Sequence, residues 1–372
     1  MTGELWPRAP GQITIGWVES ALRRAEGDPR GIGADASIGR VAVEAIADLG
    51  GVNGETYRVV IEYARGDGPR ALVAKFPADR PGPRATAAFQ HWYEREVEFY
   101  RTLAAACPLR TPRCYDAAID PEGGYVLLLE DLRPRTQGDQ VAGCSVEQAR
   151  TAIEAAAALH TRWWGAPPPV SDSMPETTIG LERAGRVQGA LARVWARLGD
   201  RLALPDSVAA GMPRLVEGYV ALLRTMASAP VTVIHGDYRL DNLFFEEAAA
   251  PGGPLKVTAI DWQFVCRCRG MYDVGYFIGL DLDPQVRRAH ERDLVAAYVE
   301  ALRRDGVQGY GDADAWEDYR RALLLGFAVF LIGAAGEQPN ERMALVHEVG
   351  LARIAAAIED TGALDVLAAR GG

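Results

Sequence analysis

The chain's 372 residues give room for about two domains or lobes, and a 48% hydrophobic fraction with 24% charge is that of an ordinary soluble globular protein. Its formal net charge of −10 argues against nucleic acid or an anionic membrane as the main partner, since both demand a basic face.

Ile15 to Glu26 has helical spacing. From residue 39 the pattern turns to alternation: Val41 and Val43 mark one strand, and Tyr57, Val59, Ile61 and Tyr63 share one face of another over 56–64. Between them runs Leu49-Gly50-Gly51-Val52-Asn53-Gly54-Glu55-Thr56. It reads equally as a plain hairpin loop or as a cover over phosphates, with Gly51, Asn53 and Gly54 allowing close backbone approach. A strand just ahead, Arg70 to Phe76, favours the second reading because it carries Lys75. Only two lysines, Lys75 and Lys256, stand among 40 basic residues. Where this protein needs a surface cation it uses Arg, so a lysine inside an apolar strand points to a need for a compact ammonium.

A helix is expected over 90–104, with Trp92, Tyr93, Val97, Phe99, Tyr100, Leu103 and Ala104 on one stripe. Glu96 falls within that stripe, where a carboxylate is costly unless paired, and Lys75 is the evident partner. Glu94 and Glu98 lie on the solvated side. Thr111 to Ile119 and Tyr125 to Leu129 form a hairpin about Asp120-Pro121-Glu122-Gly123-Gly124, and Glu130-Asp131-Leu132 leads out of it.

Beyond 144 the chain turns helical. Ser145 and Gln148 match a capping box and open a helix through His160. Helical patterns follow near 181–203, 207–228, 284–304, 314–335 and 340–360. They are interrupted at 231–263, VTVIHGDYRLDNLFFEEAAAPGGPLKVTAIDWQ. There an apolar strand delivers His235-Gly236-Asp237 into a turn, Asn242 precedes a second strand, and a third strand, Val257 to Ile260, ends in Asp261. Taken singly, Asp237, Asn242 and Asp261 are ordinary turn residues. As an ordered set at the same end of one small sheet, they supply what phosphoryl transfer from ATP requires. One carboxylate accepts the proton of an attacking hydroxyl, and an amide and a second carboxylate hold the metal.

HGDYRLDN and IDW resemble the H-G-D-x-x-x-x-N loop and the metal-binding segment of kinases built like aminoglycoside phosphotransferases and choline kinase. Gln263 after IDW, and LLLEDL at 127–132, resemble the ecdysteroid-kinase-like branch of that superfamily. The resemblance implies an α+β, bilobal protein-kinase-like fold: a small antiparallel β lobe with one helix over 1–132, and a larger, mostly helical lobe over 133–372. It implies Asp237 as the catalytic base, Asn242 and Asp261 on Mg2+, and Lys75, oriented by Glu96, on the ATP phosphates. The connector containing Glu130 and Leu132 would hold the adenine through backbone groups. His160, His235 and Asp273 would be structural, the last bracing the catalytic loop. The reading needs residues 75, 96, 237, 242 and 261 to serve one nucleotide site.

The acceptor stays open: an aminoglycoside, a steroid-like or other lipophilic alcohol, a choline-like compound or a sugar alcohol. Asp281 and Asp283 could line the acceptor pocket, and are expected instead to face water. Two rivals are a protein kinase, opposed by Gly236 in place of the H-R-D arginine and by the lack of A-P-E, and an inactive nucleotide-binding pseudokinase, opposed by the filled polar positions. Cys107, Cys114, Cys144, Cys266 and Cys268 form neither a disulfide framework nor a zinc set. The start MTGELWPRAPGQ lacks signal-peptide character, and the apolar run Ala322 to Gly336 is shorter than the roughly 20 residues of a membrane span. A cytoplasmic chain with reduced thiols, no membrane span and no obligate protein partner is expected.

Overall fold

The structure, a computed structural model, describes residues 6–24, 31–33, 35–46, 54–247, 255–336, 338 and 340–367. The chain divides into two compact units, Met1–Ala106 with Thr111–Pro134, and Cys107–Arg110 with Arg135–Gly372.

The first unit opens with α1 (Ile15–Arg24), whose buried Trp17, Val18, Ala21 and Leu22 form one helical stripe. Next come β1 (Ser37–Ala45), β2 (Gly54–Arg65), β3 (Ala71–Pro77), α2 (Pro81–Phe89) and α3 (Trp92–Glu98). Then follow β4 (Cys114–Ile119) and β5 (Tyr125–Glu130). All strand pairs are antiparallel in the order β1-β2-β3-β5-β4. The α1 stripe joins Val59, Ile61, Leu72, Ala74, Phe76, Val126 and Leu128 in one core. In the turn between β4 and β5, Asp120 Oδ1 accepts from the Gly124 N–H at 2.8 Å.

The helix expected over 90–104 is not one helix. His91 adopts the left-handed conformation (φ 57°) and separates α2 from α3. The chain then passes through a π-helical turn, Phe99–Leu103, and a 3-10 turn, Ala104–Ala106. Phe99 and Tyr100 in the π turn are both buried. The unit thus carries α2 in addition to the helices read from spacing.

The second unit contains β6 (Thr136–Gln137), α4 (Val146–Arg162), α5 (Ala184–Leu198), α6 (Asp206–Met226), β7 (Thr232–Ile234), β8 (Leu243–Glu246), β9 (Lys256–Ala259) and β10 (Cys266–Cys268). It ends with α7 (Met271–Asp281), α8 (Pro284–Arg304), α9 (Asp312–Ala334) and α10 (Glu341–Thr361). The Ser145–Gln148 capping box is present. Every residue of α7 is buried, as a helix apolar on all sides must be, and it packs against α9 and α10. The apolar run from Ala322 lies in α9, also largely buried. Among the described residues no helix is long and apolar enough to cross a membrane.

The single small sheet expected around the H-G-D segment is two ladders. The hairpin β8–β9 pairs with β6, whereas β7 pairs with β10, a strand the spacing does not announce. The reason is local: the turn Trp262–Phe264 sends Cys266-Arg267-Cys268 back alongside β7 instead of extending the hairpin.

Candidate active site

In the first unit, β3 is the middle strand of the five, and Lys75 lies opposite Thr56 on β2 and Leu127 on β5. Its Nζ donates to both Glu96 carboxylate oxygens, at 2.7 and 2.8 Å. Glu96 is 1% exposed and the Lys75 side chain 15%, so the pair is held away from bulk water. Gly54 begins β2; Gly51 and Asn53 lie outside the described residues. Glu130 ends β5 and turns its Oε2 to the Arg113 N–H at 3.2 Å, while Leu132 is buried. The Glu130 side chain therefore serves the chain itself.

In the second unit, the segment after β7 is braced by Asp273. This buried carboxylate accepts from the His235 N–H (2.7 Å) and the Gly236 N–H (2.9 Å), and it meets His160 Nε2 at 3.2 Å. His160 Nδ1 in turn meets the Tyr298 hydroxyl at 2.9 Å. His160 and Asp273 are thus framework groups. Gly236 has φ +83°, and a Cβ there would strike the Phe264 carbonyl, so no arginine fits at this position.

His235 is fully committed to the scaffold. Its Nε2 reaches the Ile260 carbonyl at 2.9 Å and therefore donates, which leaves Nδ1 to accept from the Asp237 N–H at 3.3 Å. The imidazole is a brace with both nitrogens engaged and none free for proton abstraction. Its ring also lies 4.6 Å from that of fully buried Trp262.

Asp237 receives three side chains. Asn242 Nδ2 donates to Oδ2 at 2.8 Å, Arg239 Nε spans Oδ1 and Oδ2 at 3.3 and 3.2 Å, and the Tyr276 hydroxyl donates to Oδ1 at 3.1 Å. Burial pushes the Asp237 carboxyl up, but the Arg239 charge, with hydrogen bonds from Arg239 and Asn242, outweighs it and holds the carboxyl below its usual range. Burial disfavours the Arg239 cation, yet Asp237 and Asp241 more than restore it.

Asp261 follows directly on this framework. The Asn242 carbonyl accepts from the Ile260 N–H at 2.9 Å, and the Ile260 carbonyl is the group His235 holds. Asp261 then turns through the left-handed region (φ 66°), with Gln263 Nε2 on its Oδ2 at 3.2 Å. Asp237, Asn242 and Asp261 are therefore brought together, although their strands belong to two ladders.

Among the described residues no cluster of three His, Cys, Asp or Glu side chains could hold a metal. Mg2+ does not require one, since it binds through one or two hard oxygen ligands, substrate phosphates and water. Asn242 fits that role: its Nδ2 is spent on Asp237, so its amide oxygen is directed elsewhere.

Asp281 does not face water. It is fully buried, its Oδ2 accepts from the Leu240 N–H at 3.0 Å, and burial pushes its carboxyl well above the usual range. An aspartate ending a helix buried on every side has no route to solvent. Asp283, by contrast, is exposed and caps α8 through the Gln285 N–H.

Sequence reading missed Arg239, Tyr276 and Gln140. Arg239 Nη1 bonds Gln140 Oε1 at 2.9 Å and Asp241 Oδ2 at 3.1 Å. The acid–base–acid alternation Asp237-x-Arg239-x-Asp241 was a visible signal for the first of these. Nothing in the sequence marks Tyr276 or Gln140.

Residues 49–324 match the profile of the phosphotransferase enzyme family, APH. No curated protein sequence matches the chain. Among solved structures, a candidate aminoglycoside phosphotransferase from Ralstonia eutropha JMP134 is 16% identical over 93% of this chain and 98% of its own, with a TM-score of 0.52. A mutant aminoglycoside 2'-phosphotransferase IIIa in its GDP complex is 15% identical over 94% and 98%, also at 0.52. A choline kinase from Cryptosporidium parvum Iowa II is 9% identical over 95% and 94%, at 0.51. At these identities the likeness is one of fold: an antiparallel sheet in the N-terminal part and a mostly helical remainder.

Proposed function

This chain belongs to the phosphotransferase enzyme family, APH, and on that premise we propose that it transfers the γ-phosphate of ATP to a hydroxyl of a small molecule. The observation that carries the reading is the Asp237 carboxylate, ionised, bonded to Asn242 and set on a loop locked by Asp273. Asp237 orients the acceptor hydroxyl and takes its proton. Asn242 and Asp261 hold Mg2+, which supplies charge neutralisation at the phosphates. Lys75, kept in place by Glu96, contacts the α- and β-phosphates. Gly51, Asn53 and Gly54 cover the phosphates, and backbone groups near Glu130 and Leu132 hold the adenine. The lobes of this reading are 1–132 for the nucleotide and 133–372 for chemistry and acceptor, in a cytoplasmic enzyme.

The protein-kinase alternative is disfavoured by Gly236, where the backbone and Phe264 leave no space for the arginine that would receive an activation-loop phosphate. Behind Asp237, Tyr276 leads into a cluster of packed aromatic rings. Tyr276 packs edge-on to Phe330 (6.3 Å), and Phe330 to His347 (4.9 Å). Burial, then the nearby Arg239 charge, pull the His347 pKa down to about 4, so this ring is neutral at pH 7. Tyr276 and Phe330 are buried, so these rings form a wall behind the carboxylate, and the choice between a lipophilic alcohol and an aminoglycoside-like acceptor falls to the screen.

The test is a coupled ATP-turnover screen over steroid-like and other lipophilic alcohols, aminoglycosides, choline-like compounds and sugar alcohols. One of these hydroxyl classes should be phosphorylated, and Asp237→Asn should lower that turnover by about a thousandfold while sparing Mg-ATP binding. Normal turnover by Asp237→Asn would overturn the assignment.

A further inference from the structure

We infer that the Tyr276 hydroxyl takes up the remaining hydrogen-bonding capacity of Asp237 Oδ1, so that the resting site withholds its base until an acceptor hydroxyl takes the bond over. The inference rests on the reading of Asp237 as the base. A carboxylate offers roughly four lone-pair sites. The Arg239 Nε contact spans both oxygens at 3.3 and 3.2 Å, Asn242 takes a second site on Oδ2 at 2.8 Å, and Tyr276 takes the second on Oδ1 at 3.1 Å. Nothing is left for the proton of an incoming hydroxyl, so one donor must yield.

The surroundings decide which. Arg239 is anchored by Asp241 and Gln140 at 3.1 and 2.9 Å. Asn242 Nδ2 is anchored by the Asp237 backbone carbonyl as well, at 2.9 Å. The Tyr276 hydroxyl bonds to Asp237 alone among the described residues. Its ring is fixed, stacked on Tyr272 at 5.8 Å and 16° and edge-on to Phe330 at 6.3 Å and 78°. What yields is therefore the phenol's hydrogen bond: its proton turns about the C–O bond and frees a lone pair of Oδ1 for a hydroxyl approaching beside the fixed phenol oxygen.

The acceptor O–H then donates to Oδ1. As that oxygen bonds to the γ-phosphorus, its proton passes to Asp237, the bond from the γ-phosphorus to the bridging oxygen breaks, and the nucleoside diphosphate leaves. Water can follow the same course, giving inorganic phosphate. Tyr276 is then what keeps water off the base when no acceptor is bound. Removing one charge-assisted hydrogen bond from this competition should change the outcome about tenfold.

The experiment uses purified full-length protein with Mg-ATP and no acceptor. Tyr276→Phe should raise inorganic phosphate release about tenfold over wild type, and adding Asp237→Asn should abolish the rise. Release at or below the wild-type rate with unchanged Mg-ATP affinity overturns the inference, as does a rise that survives Asp237→Asn. A second readout needs no nucleotide. In protein labelled at the tyrosine ζ-carbon, the resonance removed by Tyr276→Phe should shift in Asp237→Asn, because the phenol loses an anionic partner. An unmoved resonance overturns the inference. Should the Phe variant not fold, Tyr276→Leu, which also removes the hydroxyl, replaces it in every measurement. A wild-type protein that binds no Mg-ATP is a separate result, removing the phosphotransfer reading and this inference with it.

Discussion

Two buried carboxylates of this protein, Glu96 and Asp237, are managed in opposite ways. Glu96 is met on both oxygens by the Lys75 ammonium. Asp237 is shared among Asn242, Arg239 and Tyr276, and each of the first two is held by further groups. The Lys75–Glu96 ion pair joins neighbouring elements, so it can be read from an acid misplaced on an apolar helix stripe. A network is a collective decision, and its members come from segments as distant as residues 140, 239 and 276. The difference also separates the expected consequences of mutation. Breaking the pair disables one cation, whereas disturbing the network's support disables a loop.

The sharpest test of that contrast is Asp273→Ala. It strips a fully buried acceptor from the His235 and Gly236 N–H groups and from His160. Two orphaned backbone donors should cost about 3–5 kcal/mol of stability, measured by urea unfolding. A loss below about 1 kcal/mol would mean that the loop holds its shape without this brace.

Glu96→Gln should act on function more than on fold. Lys75 keeps its charge but loses its anionic partner, so Mg-ATP affinity should fall about tenfold by calorimetry. Lys75→Arg should be no better tolerated, since a planar guanidinium does not replace a compact ammonium between Thr56 and Leu127. Unchanged nucleotide affinity in both variants would reduce the pair to a structural one.

The smallest effect is expected at Asp281, with a sign set by its raised pKa. Burial is the main cause; the Leu240 N–H and the Arg239 and Arg353 charges lower the pKa, and Asp241 raises it. In the unfolded chain this carboxyl ionises near pH 4, whereas the folded protein keeps its proton to higher pH. Between those two values the native state binds more protons, so the group's contribution to stability declines as pH rises. Asp281→Asn keeps an acceptor for the Leu240 N–H and removes that decline. Its melting temperature should match wild type near pH 4 and exceed it by a few degrees at neutral pH, measured by calorimetry. An advantage of equal size at both pH values would assign the effect to packing.

Much of the site was legible because its signals are local. The H-G-D-x-x-x-x-N spacing, the I-D-W strand end, a lysine in a chain that otherwise uses arginine, and Glu96 on an apolar stripe each lie within a short window. Asp273 as the brace and His235 as a scaffold group came with the family resemblance, and the hydrogen bonds bear out both. The misses have physical causes too. A left-handed His91 and a π turn split a helix whose hydrophobic spacing looks continuous. β10 depends on a turn that returns the chain to β7. Asp281 appears exposed until α7 is seen to be covered on all sides.

The sequence alone therefore singled out the candidate residues and the type of element each sits on, because periodicity and spacing act over neighbouring residues. The tertiary structure alone decided what surrounds the Asp237 carboxylate: that Arg239 is clamped by Gln140, that Tyr276 reaches Oδ1, and that Asp281 is sealed from water. Those outcomes depend on contacts between segments 40 to 100 residues apart. Such contacts leave no pattern along the chain, since what fixes them is the competition of many groups for the same buried lone pairs and space.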